Sequence, residues 1–169
     1  MSLDKAKYPL EVNSLDRFEE TIKQLKTLLP CKKFVITGSY ALAAMGIVEP
    51  QEVKDLDIVL IIETAHEDEV TKILGRLCDN FPPIHGKNYP GERTFRFIYN
   101  KINVDIFLRY QDSPGELTHK GHYISTVLPL INAKKSYNRS KDWIQLKSLS
   151  RVFFKEEEFI QFVDQKSKR

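Results

Sequence analysis

Residues 34–47 read FVITGSYALAAMGI, and the fold turns on how that stretch breaks in the middle. Phe34 to Thr37 is apolar and β-branched, the composition of a short buried strand. Gly38-Ser39 is a turn signal. Ala and Leu dominate Ser39 to Met45, which predicts a helix that Gly46 closes. Two further stretches echo the strand: KDLDIVL at 54–60 and NVDIFL at 103–108. Asp57 to Ile62 is a continuous run of β-branched residues and Leu, as in a strand buried on both faces.

Around this centre the pattern alternates. Asn13-Ser14 is a capping signal for a helix running to about Leu29, with Leu15, Phe18, Ile22, Leu25 and Leu28 on one face and Pro30 ending it. Val48 to Lys54 is a loop. Glu67 to Asp79 reads as an amphipathic helix with an acidic first turn. Residues 81–91 hold prolines and glycines and read as a loop. Arg93 to Tyr99 and Ile102 to Leu108 form a hairpin about Asn100-Lys101. Residues 111–121 read as a polar loop, and 126–135, 140–150 and 155–165 as helices. The order predicts an α/β or α+β chain with a mixed sheet, flanking helices and a short helical tail. We expect a core over 1–125 and a tail over 126–169 packed on it, one domain overall.

Composition narrows the class. With 41% hydrophobic and 29% charged residues in 169, the chain can bury a real core. No apolar run approaches the roughly 20 residues of a membrane span, and the N-terminus lacks a signal-peptide core. Cys31 and Cys78 are too few for a disulfide framework or zinc site, which suits a reduced, cytoplasmic setting. Residues 132–151 cluster Lys and Arg against one acid, Asp142. That segment suits phosphate binding or an ordinary solvated helix face, and it is the sole basis for reading the chain as a nucleic-acid binder.

Three acids carry the chemistry. In a strand, residues i and i+2 share a face, so Asp55 and Asp57 lie side by side. Asp105 sits mid-strand between Val104 and Ile106, where an acid is costly unless paired, hydrogen-bonded or coordinated. If the strands are neighbours, the carboxylates converge as an all-oxygen site suited to Mg²⁺, with Mn²⁺ the alternative ion. Gly38 lets backbone approach a ligand closely, and Ser39 puts a hydroxyl at a helix start, where phosphate binding is favoured. Taken singly, an Asp at a strand start is as well read as a turn or cap residue.

In this order the pattern resembles the DNA polymerase beta-type nucleotidyltransferase superfamily: apolar strand, Gly-Ser, helix, Asp-x-Asp on a strand, third acid on a later strand. The resemblance implies the nucleotidyltransferase fold and transfer of a nucleoside monophosphate from a nucleoside triphosphate to an acceptor hydroxyl. It implies that Asp55 and Asp57 bind metal and triphosphate. Asp105 holds the catalytic metal and helps deprotonate the acceptor, and Gly38 and Ser39 contact the β and γ phosphates. The tail, LPLINAKKSYNRSKDWIQLKSL at 128–149, is similar to the segment after the core in abortive-infection-type nucleotidyltransferase toxins. Lys134, Arg139, Lys141 and Asp142 match its motif, which implies nucleotide contacts for them, while Gln145 stands where those proteins carry an acid. The acceptor implied is a small molecule, RNA or protein. The alternative is a non-catalytic nucleotide-binding module, or a toxin-like subunit with a small partner protein.

Other residues are ambiguous. Tyr40 suits base stacking or core packing. Arg93 and Arg96, three apart on one strand, face opposite sides, so at most one serves the acids, and Arg93 reads as the surface residue. His66, His85, His119 and His122 have no metal spacing and read as exposed or structural. Trp143 reads as a packing anchor.

Overall fold

A computed structural model describes residues 14–78, 84–85, 93–111, 117–125, 130 and 138–153. Ser14 caps the first element by accepting a hydrogen bond from the Asp16 N–H at 3.1 Å. A 3-10 turn, Leu15–Phe18, leads into α1, Glu19–Leu28. Phe18, Ile22 and Leu25 point into the core as expected, but Leu28 is 40% exposed and Leu29 takes its place at 2%. At 3.6 residues per turn Leu28 lies about 80° off the Phe18–Ile22–Leu25 stripe, whereas Leu29 returns to it.

Next come β1 (Lys33–Thr37), α2 (Gly38–Ala44), β2 (Asp55–Ile61), α3 (Glu67–Leu77) and β3 (Ile84–His85). They are followed by β4 (Arg93–Tyr99), β5 (Ile102–Arg109), β6 (Leu117–His119) and β7 (His122–Ile124). The last described element is α4, Ser140–Phe153. The fold class is α+β: one mixed sheet in the order β3-β4-β5-β2-β1-β7-β6 with flanking helices. β2 runs parallel to β5 and β1 parallel to β7, and the other pairings are antiparallel. β3 and β6 fall inside the two stretches expected to be loops. Each is two or three residues long, too short to show a period-two pattern. The expected helices over 126–135 and 155–165 lie outside the described residues, except that Leu130 is buried.

The turns follow their residues. α2 ends as Gly46 enters the left-handed region at φ +78°, and the Ile47 N–H reaches back to the Leu42 carbonyl at 2.9 Å. Asn100 and Lys101, at φ 50° and 64°, make the two-residue turn whose twist matches a hairpin. Lys120 and Gly121 do the same between β6 and β7.

One face of the sheet carries the main core. Phe34, Ile36, Leu56, Ile58, Leu60, Phe95, Phe97, Val104 and Ile106 pack with α1, α2 and α3 through Ile22, Leu42 and Leu74. The opposite face has a smaller apolar cluster, Val35, Val59 and Ile61 with Phe107. β2 is therefore buried on both faces at its C-terminal end, as its composition demands. The described helices include none long and apolar enough to cross a membrane. Cys31 is a half-buried free thiol, and Cys78 is buried at the end of α3.

His122 is structural. It is buried, its Nδ1 lies 3.1 Å from Lys26 Nζ, and its Nε2 lies 2.6 Å from Glu19 Oε1. Because an ammonium only donates, Nδ1 accepts from Lys26 and Nε2–H donates to Glu19.

Candidate functional site

The strand register draws the acids together. Thr37 pairs with Asp57 across β1 and β2, Asp57 with Asp105 across β2 and β5, and Asp105 with Arg96 across β5 and β4. Paired residues on neighbouring strands share a face, so Thr37, Asp57, Asp105 and Arg96 form one row across the sheet, about 4.8 Å per step. The row lies on the face opposite the main core. Asp55, two residues before Asp57, joins the same face beside Asn103. Asp55 is exposed, and Asp57 and Asp105 are half-buried.

Gly38 closes one side of the row. It follows the last residue of β1, at φ +65°. A Cβ there would overlap Asp57 Oδ2 outright and stand 3.1 Å from Asp57 Cγ. The missing side chain is the space the Asp57 carboxylate uses, so Gly38 is required by both backbone conformation and close approach. Ser39 follows as the second residue of α2 and is half-buried. With seven residues α2 offers little helix dipole to a phosphate.

Arg96 closes the other side. Its Nε donates to Asp105 Oδ1 at 2.7 Å and its Nη2 to Asp105 Oδ2 at 3.2 Å. The Asp105 bonds and charge hold the guanidinium above its ordinary pKa, and the charges of Asp55 and Asp57 add to this. All three acids therefore act on one cation. Arg93, three residues away, lies 3.6 Å from Glu67 Oε1, away from the acids.

The donor set suits a hard cation: carboxylate oxygens only, on adjacent strands and one face. Yet among the described residues no three acidic, His or Cys side chains already stand as a ready metal cage. Asp105 is engaged by Arg96 instead, so a bound ion would need that pair to part.

The tail residues form a second constellation. Asp142 is fully buried and accepts from Arg139 Nε at 2.7 Å, from Arg139 Nη2 at 3.2 Å and from the Arg139 backbone N–H at 3.2 Å. Asp142 thus caps the start of α4, whose first helical residue is Ser140, by reaching back to the Arg139 N–H. Lys141 is exposed, and Lys134 lies outside the described residues. Trp143 is buried and donates from Nε1 to Asn138 Oδ1 at 2.7 Å, the anchoring role expected of it. Tyr40 is fully buried, edge-on to Phe18. Burial first, then the Glu19 and Asp16 charges, pushes its phenol up to about 12. Tyr40 is a core residue rather than a base-stacking one.

The reading that one arginine serves the acids, with Arg93 the surface one, holds, but its partner acid and the role of Arg17 were not foreseen. The Arg96–Asp105 pairing was open to a register count, since a two-residue turn at Asn100-Lys101 sets Arg96 opposite Asp105. Arg17 gave no signal. Its guanidinium lies over the Phe18 ring and donates to the Ser14, Pro50 and Val53 carbonyls, tying down the loop that delivers Asp55.

Fold and site together define an α+β protein with a row of acids beside a glycine turn. No family model and no curated protein matches the chain. Two solved structures are similar to it. One is a candidate nucleotidyltransferase from Thermotoga maritima, 15% identical over 90% of this chain and 96% of that one, with a TM-score of 0.44. The other is the CdnC–HORMA complex of Escherichia coli, 20% identical over 94% of this chain with a TM-score of 0.40. This chain spans 60% of the length of that second one.

Proposed function

We propose that this chain is a nucleotidyltransferase that moves a nucleoside monophosphate from a nucleoside triphosphate to an acceptor hydroxyl. The observation that carries the reading is the row itself: Asp57 and Asp105 in register on adjacent parallel strands, with Gly38 stripped of a side chain against Asp57. In the proposed reaction the acceptor oxygen bonds to the α-phosphorus. The bond from that phosphorus to its bridging oxygen breaks, and pyrophosphate leaves. Asp105 takes the hydroxyl proton on a carboxylate oxygen. Asp55, Asp57 and Asp105 are the residues that would hold Mg²⁺ or Mn²⁺, which supplies Lewis-acid stabilisation of the triphosphate charge. In this reading Gly38 and Ser39 contact the β and γ phosphates. Lys134, Arg139 and Lys141 offset charge on the leaving pyrophosphate, with Asp142 setting the Arg139 guanidinium.

Calorimetry with each nucleoside triphosphate and Mg²⁺ tests the reading. We expect binding that Asp55→Ala with Asp57→Ala abolishes. No binding to the wild-type chain, or equal binding to the double variant, overturns it. Incubating the chain with labelled triphosphates and cell extract then separates small-molecule, RNA and protein acceptors.

A further inference from the structure

Arg96 is placed to oppose the chemistry just proposed as well as to serve it. Both oxygens of Asp105 are engaged by its fork, at 2.7 and 3.2 Å. The Asp105 side chain is 15% exposed, whereas Arg96 is 52% exposed. The guanidinium, at the tip of a long and half-exposed side chain, can swing into water. A magnesium ion needs a carboxylate oxygen at about 2.1 Å in a near-ideal octahedron. An ion on Asp105 and a guanidinium gripping both of its oxygens place like charges on one group.

We propose that Arg96 is a latch: it neutralises the acid row while no metal is bound, and it must release Asp105 for an ion to enter. This inference rests on the metal-dependent reading above and concerns the regulation of that same site. It accounts for two observations together: three acids tolerated on one face, and no ready cage among the described residues. It also gives the released Arg96 a position at the end of the row. There its planar fork suits a phosphate or carboxylate of the incoming substrate. In the latched state one lone pair on each Asp105 oxygen is taken by the guanidinium. Release therefore frees both Asp105 oxygens in one movement.

The latch makes metal affinity a readout independent of turnover. A divalent ion about 6 Å from a unit charge, in water-like surroundings, is disfavoured by roughly tenfold in affinity. We would titrate Mn²⁺ into the wild-type chain, Arg96→Gln, Arg96→Lys and Asp57→Ala, counting free ion by electron paramagnetic resonance. Arg96→Gln should bind about tenfold more tightly than wild type. Arg96→Lys keeps the charge but loses the fork, and should fall between them. In the wild-type chain, the Arg96 side-chain Nε–H resonance should move as diamagnetic Mg²⁺ is added. Circular dichroism checks that each variant folds. If Arg96→Gln binds Mn²⁺ no more tightly than wild type while Asp57→Ala abolishes binding, the latch is wrong and the metal site stands. If none binds, or Asp57→Ala binds as wild type does, the metal-site reading falls and the latch with it.

Discussion

Replacing Gly38 by alanine tests the geometry of the acid row through stability alone. The residue sits at φ +65°, where an L side chain costs about 1–2 kcal/mol. The new Cβ also overlaps Asp57 Oδ2, with Cγ at 3.1 Å and Cβ at 3.2 Å. Asp57 must then turn away from its rotamer, at about 0.5–1.5 kcal/mol. The two terms together predict a loss of about 1.5–3.5 kcal/mol, with about 2–4 °C of Tm per kcal/mol for a chain of this size. Urea unfolding of Gly38→Ala, Asp57→Ala and the double variant separates them. Against Asp57→Ala, the alanine at 38 should cost the backbone term alone, leaving a coupling of about 1 kcal/mol. If Gly38→Ala costs the same in both backgrounds, or costs nothing, the carboxylate does not occupy the space of the missing side chain and the reasoning fails.

Two further outcomes test the packing around the site. Leu29→Ala should cost about 2–5 kcal/mol, as for a buried leucine, while Leu28→Ala should stay within about 0.5 kcal/mol; thermal melts showing the reverse would restore Leu28 to the core stripe. The His119 imidazole lies edge-on to Tyr40, and burial, followed by the Lys120 charge, holds its pKa below the ordinary 6.5. The folded chain therefore prefers neutral His119. Its contribution is fully present above pH 6.5 and drains away as pH falls below that value towards the lower folded pKa. His119→Gln should flatten this acid limb in melts recorded between about pH 7 and 5, and an unchanged limb would count against it.

Much of the fold was legible because the local signals agreed. The break at Gly38-Ser39, the β-branched run after Asp57 and the Asn100-Lys101 turn each have one physical reading, and the structure follows all three. The misses have physical causes as well. β3 and β6 are too short to carry a period, and pairing with β4 and β7 makes them strands. Arg17 binds backbone carbonyls, and such acceptors leave no trace in residue identity.

The sequence by itself determined the parts. Period-two alternation puts Asp55 and Asp57 on one face, and the hairpin count fixes Arg96 against Asp105, because both rules act over a few residues. Only the tertiary structure decided that Asp57 stands beside Asp105. β2 and β5 are joined through α3, β3 and β4, and a parallel pairing over that distance has no turn to set its register. That register is set by burying Leu56, Ile58 and Leu60 against Val104, Ile106 and Leu108 on the helix-covered face. A slip of one residue would move those side chains to the opposite face and send the acids into the core.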